Sequence, residues 1–184
     1  MNDSQRNGSG VLEVTITYFE MRRRPAAPAP GPPRADLAIL QAVRPTASFY
    51  RYLYDTVGAP WLWWERRRLD DSSLRAIVQN PQVEIYVLYA GGVPAGYAEL
   101  DRRAVPEIEL AYFGIMPEYI GQGLGPYLLG WIVDRAWGYR PRRLWLHTCT
   151  LDHPKAIVTY RRAGFQEYRT EVRIIDDPRA AGLL

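Results

Sequence analysis

The stretch Ile115-Met-Pro-Glu-Tyr-Ile-Gly-Gln-Gly-Leu-Gly-Pro-Tyr127 constrains this chain more than any other. It follows a strand-like run and opens a helix. Gly121, Gly123 and Gly125 let the backbone turn with no side chain in the way. The first amides of a helix lack intrahelical partners, and the helix dipole adds positive potential there. Such a start holds phosphate oxygens. The stretch therefore reads as a cradle for a phosphate-bearing ligand. Alternate glycines alone do not decide this, because a dinucleotide-binding loop or a purely structural turn has the same pattern.

The surrounding pattern narrows the choice. Pro106 to Ile115 reads as the strand entering the loop. Gln122 to Trp137 reads as the helix leaving it, with Leu124, Leu128, Trp131, Ile132 and Arg135 at helical spacing and Gly138 as the stop. Trp145 to Cys149 reads as a strand and Pro154 to Phe165 as a short helix closing on Gly164. Upstream, Val11 to Met21 alternates and is rich in β-branched and aromatic residues, so it reads as a first strand. Val83 to Tyr89, Gly91-Gly92 and Pro94 to Leu100 form a hairpin pattern. Glu167 to Ile175 reads as a last strand.

Arg22 to Arg34 holds five prolines and reads as an extended surface loop or a flap. Residues 36–80 read as helical, with a capped short helix over Asp70 to Val78. Trp61, Trp63 and Trp64 fall within four positions. They serve either as core or as the wall of an apolar pocket. The expected organisation is a flexible residue 1–10 segment followed by one domain over 11–184. The fold expected is α/β (α+β), with a mixed, twisted central sheet of six to seven strands and helices on both faces.

Composition excludes several classes. In 184 residues, 47% hydrophobic and 23% charged is ordinary for a soluble globule. No apolar run approaches a membrane span, and residues 1–10 lack the apolar core of a signal peptide, so a cytoplasmic protein with no membrane partner is expected. A single cysteine, Cys149, excludes an intramolecular disulfide framework. Net charge is only +3, and the arginine pairs and triplets belong to no nucleic-acid module, so no nucleic acid is expected as a partner. His147 and His153 with Asp152 have poor ligand spacing, so no metal is expected.

The order strand, glycine loop, helix, strand, helix ending Tyr160-x-x-x-Gly164-Phe165 resembles the GNAT superfamily of acyl-CoA-dependent N-acyltransferases. The resemblance covers Glu107 to Tyr168 and, more loosely, extends from Val83. It implies acetyl-CoA as co-substrate and a primary amine as acceptor: a small-molecule amine, an amino-acid-like metabolite or a protein lysine. It makes residues 106–168 the acetyl-CoA-binding core and the helices of 36–80 the acceptor side. Phe113, Gly114 and Ile115 would supply main-chain groups to the acetyl carbonyl and pantetheine arm, with Gly114 easing a local distortion. The pyrophosphate would rest on the amides of Gln122, Gly123, Leu124 and Gly125, with Gly121 and Pro126 also among the cofactor-binding residues. His153 and Ala156 would line the arm.

Transfer from a thioester to an amine needs a base for the amine, stabilisation of the oxyanion and a proton for the departing thiolate. The resemblance implies Glu109 as base, directly or through water, and Tyr160 as acid. Glu107 shares the face of Glu109 by two-residue periodicity and is the second base candidate. The sequence departs from the family at three places. Ile120 stands where Arg or Gln is frequent, Pro126 removes one amide, and His153 replaces a frequent asparagine. A non-catalytic acyl-CoA-binding or sensory domain is the alternative, and a homodimer is left open.

Overall fold

The computed structural model describes residues 10–180 and 182; the greater part of the expected 1–10 tail lies outside the described residues. Seven strands and four helices follow one another as β1 (Val11–Met21), β2 (Leu37–Gln41), α1 (Ala47–Gly58), α2 (Asp71–Val78), β3 (Val83–Ala90), β4 (Val93–Asp101), β5 (Glu107–Ile115), α3 (Leu124–Trp137), β6 (Arg143–Cys149), α4 (Ala156–Arg162) and β7 (Gln166–Asp176). One sheet takes the order β2-β3-β4-β5-β6-β1-β7. Every neighbouring pair is antiparallel except β5 and β6.

Helices cover both faces, as the pattern predicts. On one face α3 and α4 pack Leu129, Ile132, Val133 and Tyr160 onto Phe19, Ile108, Leu110, Leu144 and Leu146 of the sheet. On the other, α1 and α2 pack Tyr50, Leu53, Val57 and Leu74 onto Ile85, Val87 and Tyr97. Thr46 caps α1 through the Phe49 amide, and Asp70 caps α2 through the Ser73 amide. In α1, Tyr50, Leu53, Tyr54 and Val57 recur at helical spacing, and all are buried.

One expectation needs correction. The reading of 36–80 as helical misses β2, which pairs along its length with β3. Five residues are too few for periodicity to separate an edge strand from a helix turn. Of the two readings of the Pro-rich stretch, the structure takes the extended surface loop. It runs along α3, where Arg24 pairs with Asp134 at 2.7 Å, Pro30 and Ala29 sit against Gly130, and Pro33 approaches Gly123. Arg34 ends it with a hydrogen bond to Gln122.

The two strands that lead and trail the chain are spatial neighbours. β1 inserts between β6 and β7 and pairs with both. No helix of the described residues is long and apolar enough to cross a membrane.

Candidate active site

β5 and β6 hold together for only three register pairs, Glu107 with Arg143, Ile108 with Leu144 and Glu109 with Trp145. Both strands then run on apart. The main-chain groups of β5 that face β6 beyond Glu109 have no ladder partner on that side, and unpaired backbone groups are strong hydrogen-bonding sites. A cavity of about 490 Å³ occupies the opening. It runs from the start of α3 through the strand gap to the face carrying α1.

At the α3 mouth, Gly121 and Gly123 take left-handed φ values of +88° and +78°. Gly123 caps α3 without a side chain, so the first amides stay open to the cavity. Gly121, Gly123, Leu124, Gly125 and Pro126 all line it, as do Lys155 and Arg162. Gln122 does not. Its side-chain amide donates to the Glu118 carbonyl, and its side-chain oxygen accepts from Arg34.

In the gap, Phe113, Gly114, Ile115, Ala156 and Tyr160 line the cavity, with His153 beside them. Gly114 has a different reason from the expected one. Its φ is not left-handed; instead a Cβ there would lie 2.3 Å from Val57 of α1, so glycine permits the close approach of that helix. Tyr160 packs against Phe19, Phe113 and Phe165. Burial pushes its phenol well up, so it keeps its proton. The His153 Nδ1 accepts from the Lys155 amide at 3.0 Å, and its ring meets Trp61 edge-on.

On the α1 face, a bulge in β5 sets the wall. Glu99 pairs with Tyr112 and Leu100 with Leu110, which leaves Ala111 unpaired. Tyr112 thereby joins the face of Glu107 and Glu109, where it meets Tyr54 and Trp63. Trp61, Trp63 and Trp64 are half-buried and line the cavity, so they are walls and not sealed core. Trp63 donates to Asp152 at 3.1 Å, and Asp152 also accepts from Thr148 and the Cys149 amide. Beneath Tyr112 lies a buried ion pair, Arg66 with Glu99 at 2.6 Å, which also takes the Tyr50 hydroxyl. Burial alone would lower the Arg66 pKa; the Glu99 charge together with Tyr50 and Tyr112 outweighs it and holds the guanidinium above its ordinary value.

The three acid–base side chains separate. Glu107 is gripped by Arg143 at 2.6 Å and Arg142 at 3.1 Å, and the Arg143 hydrogen bond holds its carboxyl below the ordinary range. Glu109 lines a smaller depression with Asp101, Arg103 and Trp145. His147 lies between Glu109 and the main cavity: its Nδ1 is 3.6 Å from Glu109 Oε1, and it lines the cavity itself. Sequence reasoning weighed His147 only as a metal ligand. It also missed Val14, Ile16, Arg173 and Ile175, which line the cavity from β1 and β7. The two-residue alternation of β6 would have put His147 on the face of Trp145, but not beside Glu109. Cys149 lines the cavity as a thiol that burial pushes up to about 11, which leaves it a poor nucleophile. Among the described residues no cluster of His, Cys, Asp and Glu could hold a metal ion.

A mixed sheet splayed between two parallel strands, over a glycine-capped helix start, is the architecture of an acyl-CoA-dependent transferase fold. A model of the acetyltransferase (GNAT) family matches residues 46–165, and the chain belongs to that family. No curated protein matches the sequence. Among solved structures it is similar to a GCN5-related N-acetyltransferase from Sphaerobacter thermophilus, with 17% identity and a TM-score of 0.67 over 91% of this chain and 52% of that one. It is also similar to a tandem GNAT protein from the clavulanic acid biosynthesis pathway, with 17% identity and a TM-score of 0.60 over 90% and 53%. The ribosomal-protein-S18-alanine N-acetyltransferase from Escherichia coli gives 17% identity and a TM-score of 0.59 over 77% and 94%. At such identities the likeness establishes the fold. The chain spans about half the length of the first two of these structures.

Proposed function

We propose that this protein is a cytoplasmic N-acetyltransferase that moves an acetyl group from acetyl-CoA to a primary amine by direct attack. The observation that carries the reading is the single cavity joining the open α3 amides, the strand gap and the aromatic face beside Glu109 and His147. The donor set fits acetyl-CoA. Open amides of Gly123, Leu124 and Gly125, with Lys155 and Arg162 nearby, suit its phosphates. Unpaired β5 main chain suits the pantetheine amides and stabilises the carbonyl oxygen as charge develops on it. Tyr160 faces the gap where sulfur would lie. Burial keeps it protonated, so it hydrogen-bonds the thiolate as the C–S bond breaks.

The acceptor enters from the α1 face. Glu107 is spent on two arginines, so Glu109 is the carboxylate left to assist removal of the amine proton, directly or through a neighbouring group. Trp61, Trp63, Trp64, Leu62, Val14 and Ile16 give this side an apolar lining, with Glu65 at its rim. Such a lining favours an amine with an apolar body over a polyhydroxylated one.

Thiol release from acetyl-CoA, measured with arylalkylamines, amino acids, aminoglycosides and lysine peptides, tests the reading. Amine-dependent release with mass-confirmed N-acetylation supports it. Acetyl-CoA binding with no release for any amine would instead favour a non-catalytic acyl-CoA-binding domain.

A further inference from the structure

Glu109 does not line the large cavity, whereas His147, 3.6 Å from it, does. We infer that His147 takes the proton from the acceptor amine and that Glu109 is its positioning residue. This rests on the N-acetyltransferase reading above.

Three observations converge. His147 lines the main cavity, whereas Glu109 opens into the smaller depression beside Asp101 and Trp145. The Nδ1 of His147 is 3.6 Å from Glu109 Oε1, close enough for ion pairing and slightly long for a hydrogen bond. Nδ1 thereby faces the carboxylate and leaves Nε2, on the opposite edge of the ring, for a ligand. Finally, the ring is held in place: Trp145 stacks on it at 6.3 Å and Tyr18 of β1 lies 5.8 Å away. A base oriented by a carboxylate on its other nitrogen is a recurrent arrangement for proton transfer.

Charges around the imidazole agree. The His147 side chain is 44% exposed; Glu109 from β5 raises its pKa against the partial desolvation of the ring, and Glu65 and Asp152 add to the rise. Arg173 of β7 lines the same cavity but is engaged by Glu171 and the Tyr18 hydroxyl.

The step balances as follows. The amine nitrogen bonds to the acetyl carbon and the C–S bond breaks, its electron pair leaving on sulfur. The nitrogen proton passes to His147 Nε2. Tyr160 donates a hydrogen bond to the departing sulfur, and the proton that His147 releases reaches the thiolate through solvent.

The chain has two histidines, so the test is direct. Imidazole NMR titration, assigned with His153→Gln, reads the His147 pKa in wild type and in Glu109→Gln. The pair predicts a fall in that pKa when the carboxylate is lost. An unchanged value would overturn the pairing. In kinetics His147 must be neutral to act, so kcat/KM rises with pH along an acid limb lying above imidazole's ordinary pKa of about 6.5. Glu109→Gln should lower the rate and move that limb to lower pH. His147→Ala should lower kcat by at least about 100-fold, the lower range for a lost general base. It should abolish the limb, keep acetyl-CoA affinity and regain part of the rate with added imidazole. Normal turnover in His147→Ala with a defective Glu109→Gln would hand the proton to Glu109 itself, overturning this inference while leaving acetyl transfer intact. Wild-type protein inactive toward every amine would overturn both, and acetyl-CoA calorimetry would then show whether binding survives.

Discussion

Gly125 and Tyr160 carry the most separable information at the level of single residues. Gly125 has no left-handed φ, and a Cβ there would meet only Ile115 at an ordinary 3.8 Å. Gly125→Asp therefore adds negative charge at the helix start with little strain. Calorimetry should show acetyl-CoA affinity weakened at least about tenfold, since a phosphate and a carboxylate repel in a site built for anions. Thermal stability should change little. Gly123→Asp is a poorer probe, because φ +78° strains any side chain. Tyr160→Phe removes only the hydroxyl from a packed ring. It should bind acetyl-CoA as wild type does yet turn over at least about tenfold more slowly, as expected for an interaction made chiefly in the transition state. The defect should shrink with a thioester whose thiol is more acidic. Equal defects with both donors would assign the hydroxyl to positioning.

Among the elements, α3 and the segment from Arg22 to Arg34 act as one unit. A Cβ on Gly130 would sit 2.5 Å from Pro30 Cδ and 3.2 Å from Ala29 Cβ. Neither atom is the free end of a flexible side chain, so the segment must lift to admit one. Gly130→Val should destabilise the fold by about 1–3 kcal/mol, the usual cost of overpacking. It should also speed tryptic cleavage after Arg34, which wild type restrains through Asp36 and Gln122. Unchanged cleavage would mean the segment is not clamped by α3. The far end of α3 is tied differently. Burial would raise the Glu84 pKa, but hydrogen bonds from Tyr139 and Tyr86 and the charges of Arg102 and Arg135 outweigh it and leave the carboxyl below its ordinary range.

For the whole molecule, the insertion of β1 between β6 and β7 joins the chain's two ends in one sheet. Phe19, with 0% exposure, lies in the core under α4. Phe19→Ala should cost about 3–5 kcal/mol in denaturant unfolding. It should do so in one transition, because among the described residues β1 lies between β6 and β7 and pairs with both. A separate early transition for β7 would show that this edge unfolds independently. The family match ends at residue 165 and begins at 46, yet Val14, Ile16, Arg173 and Ile175 reach the cavity from outside it.

The sequence by itself determined the local chemistry. The glycine loop, the α3 period, the Asp70 cap, the hairpin and the tyrosine of α4 depend on neighbours a few residues apart, and short-range rules find them. It also marked candidate parts of the proposed site, through the glycine loop and Tyr160-x-x-x-Gly164-Phe165. Tertiary structure decided which parts meet. Glu107 and Glu109 look alike along β5, but Arg142 and Arg143, 35 and 36 positions on, occupy Glu107. The Ala111 bulge that turns Tyr112 toward the tryptophans, the adjacency of His147 to Glu109, and the entry of β1 beside β6 all arise from pairings between distant segments. No periodicity within one strand encodes such a pairing, because register is chosen by what the whole sheet and its two helical layers can bury.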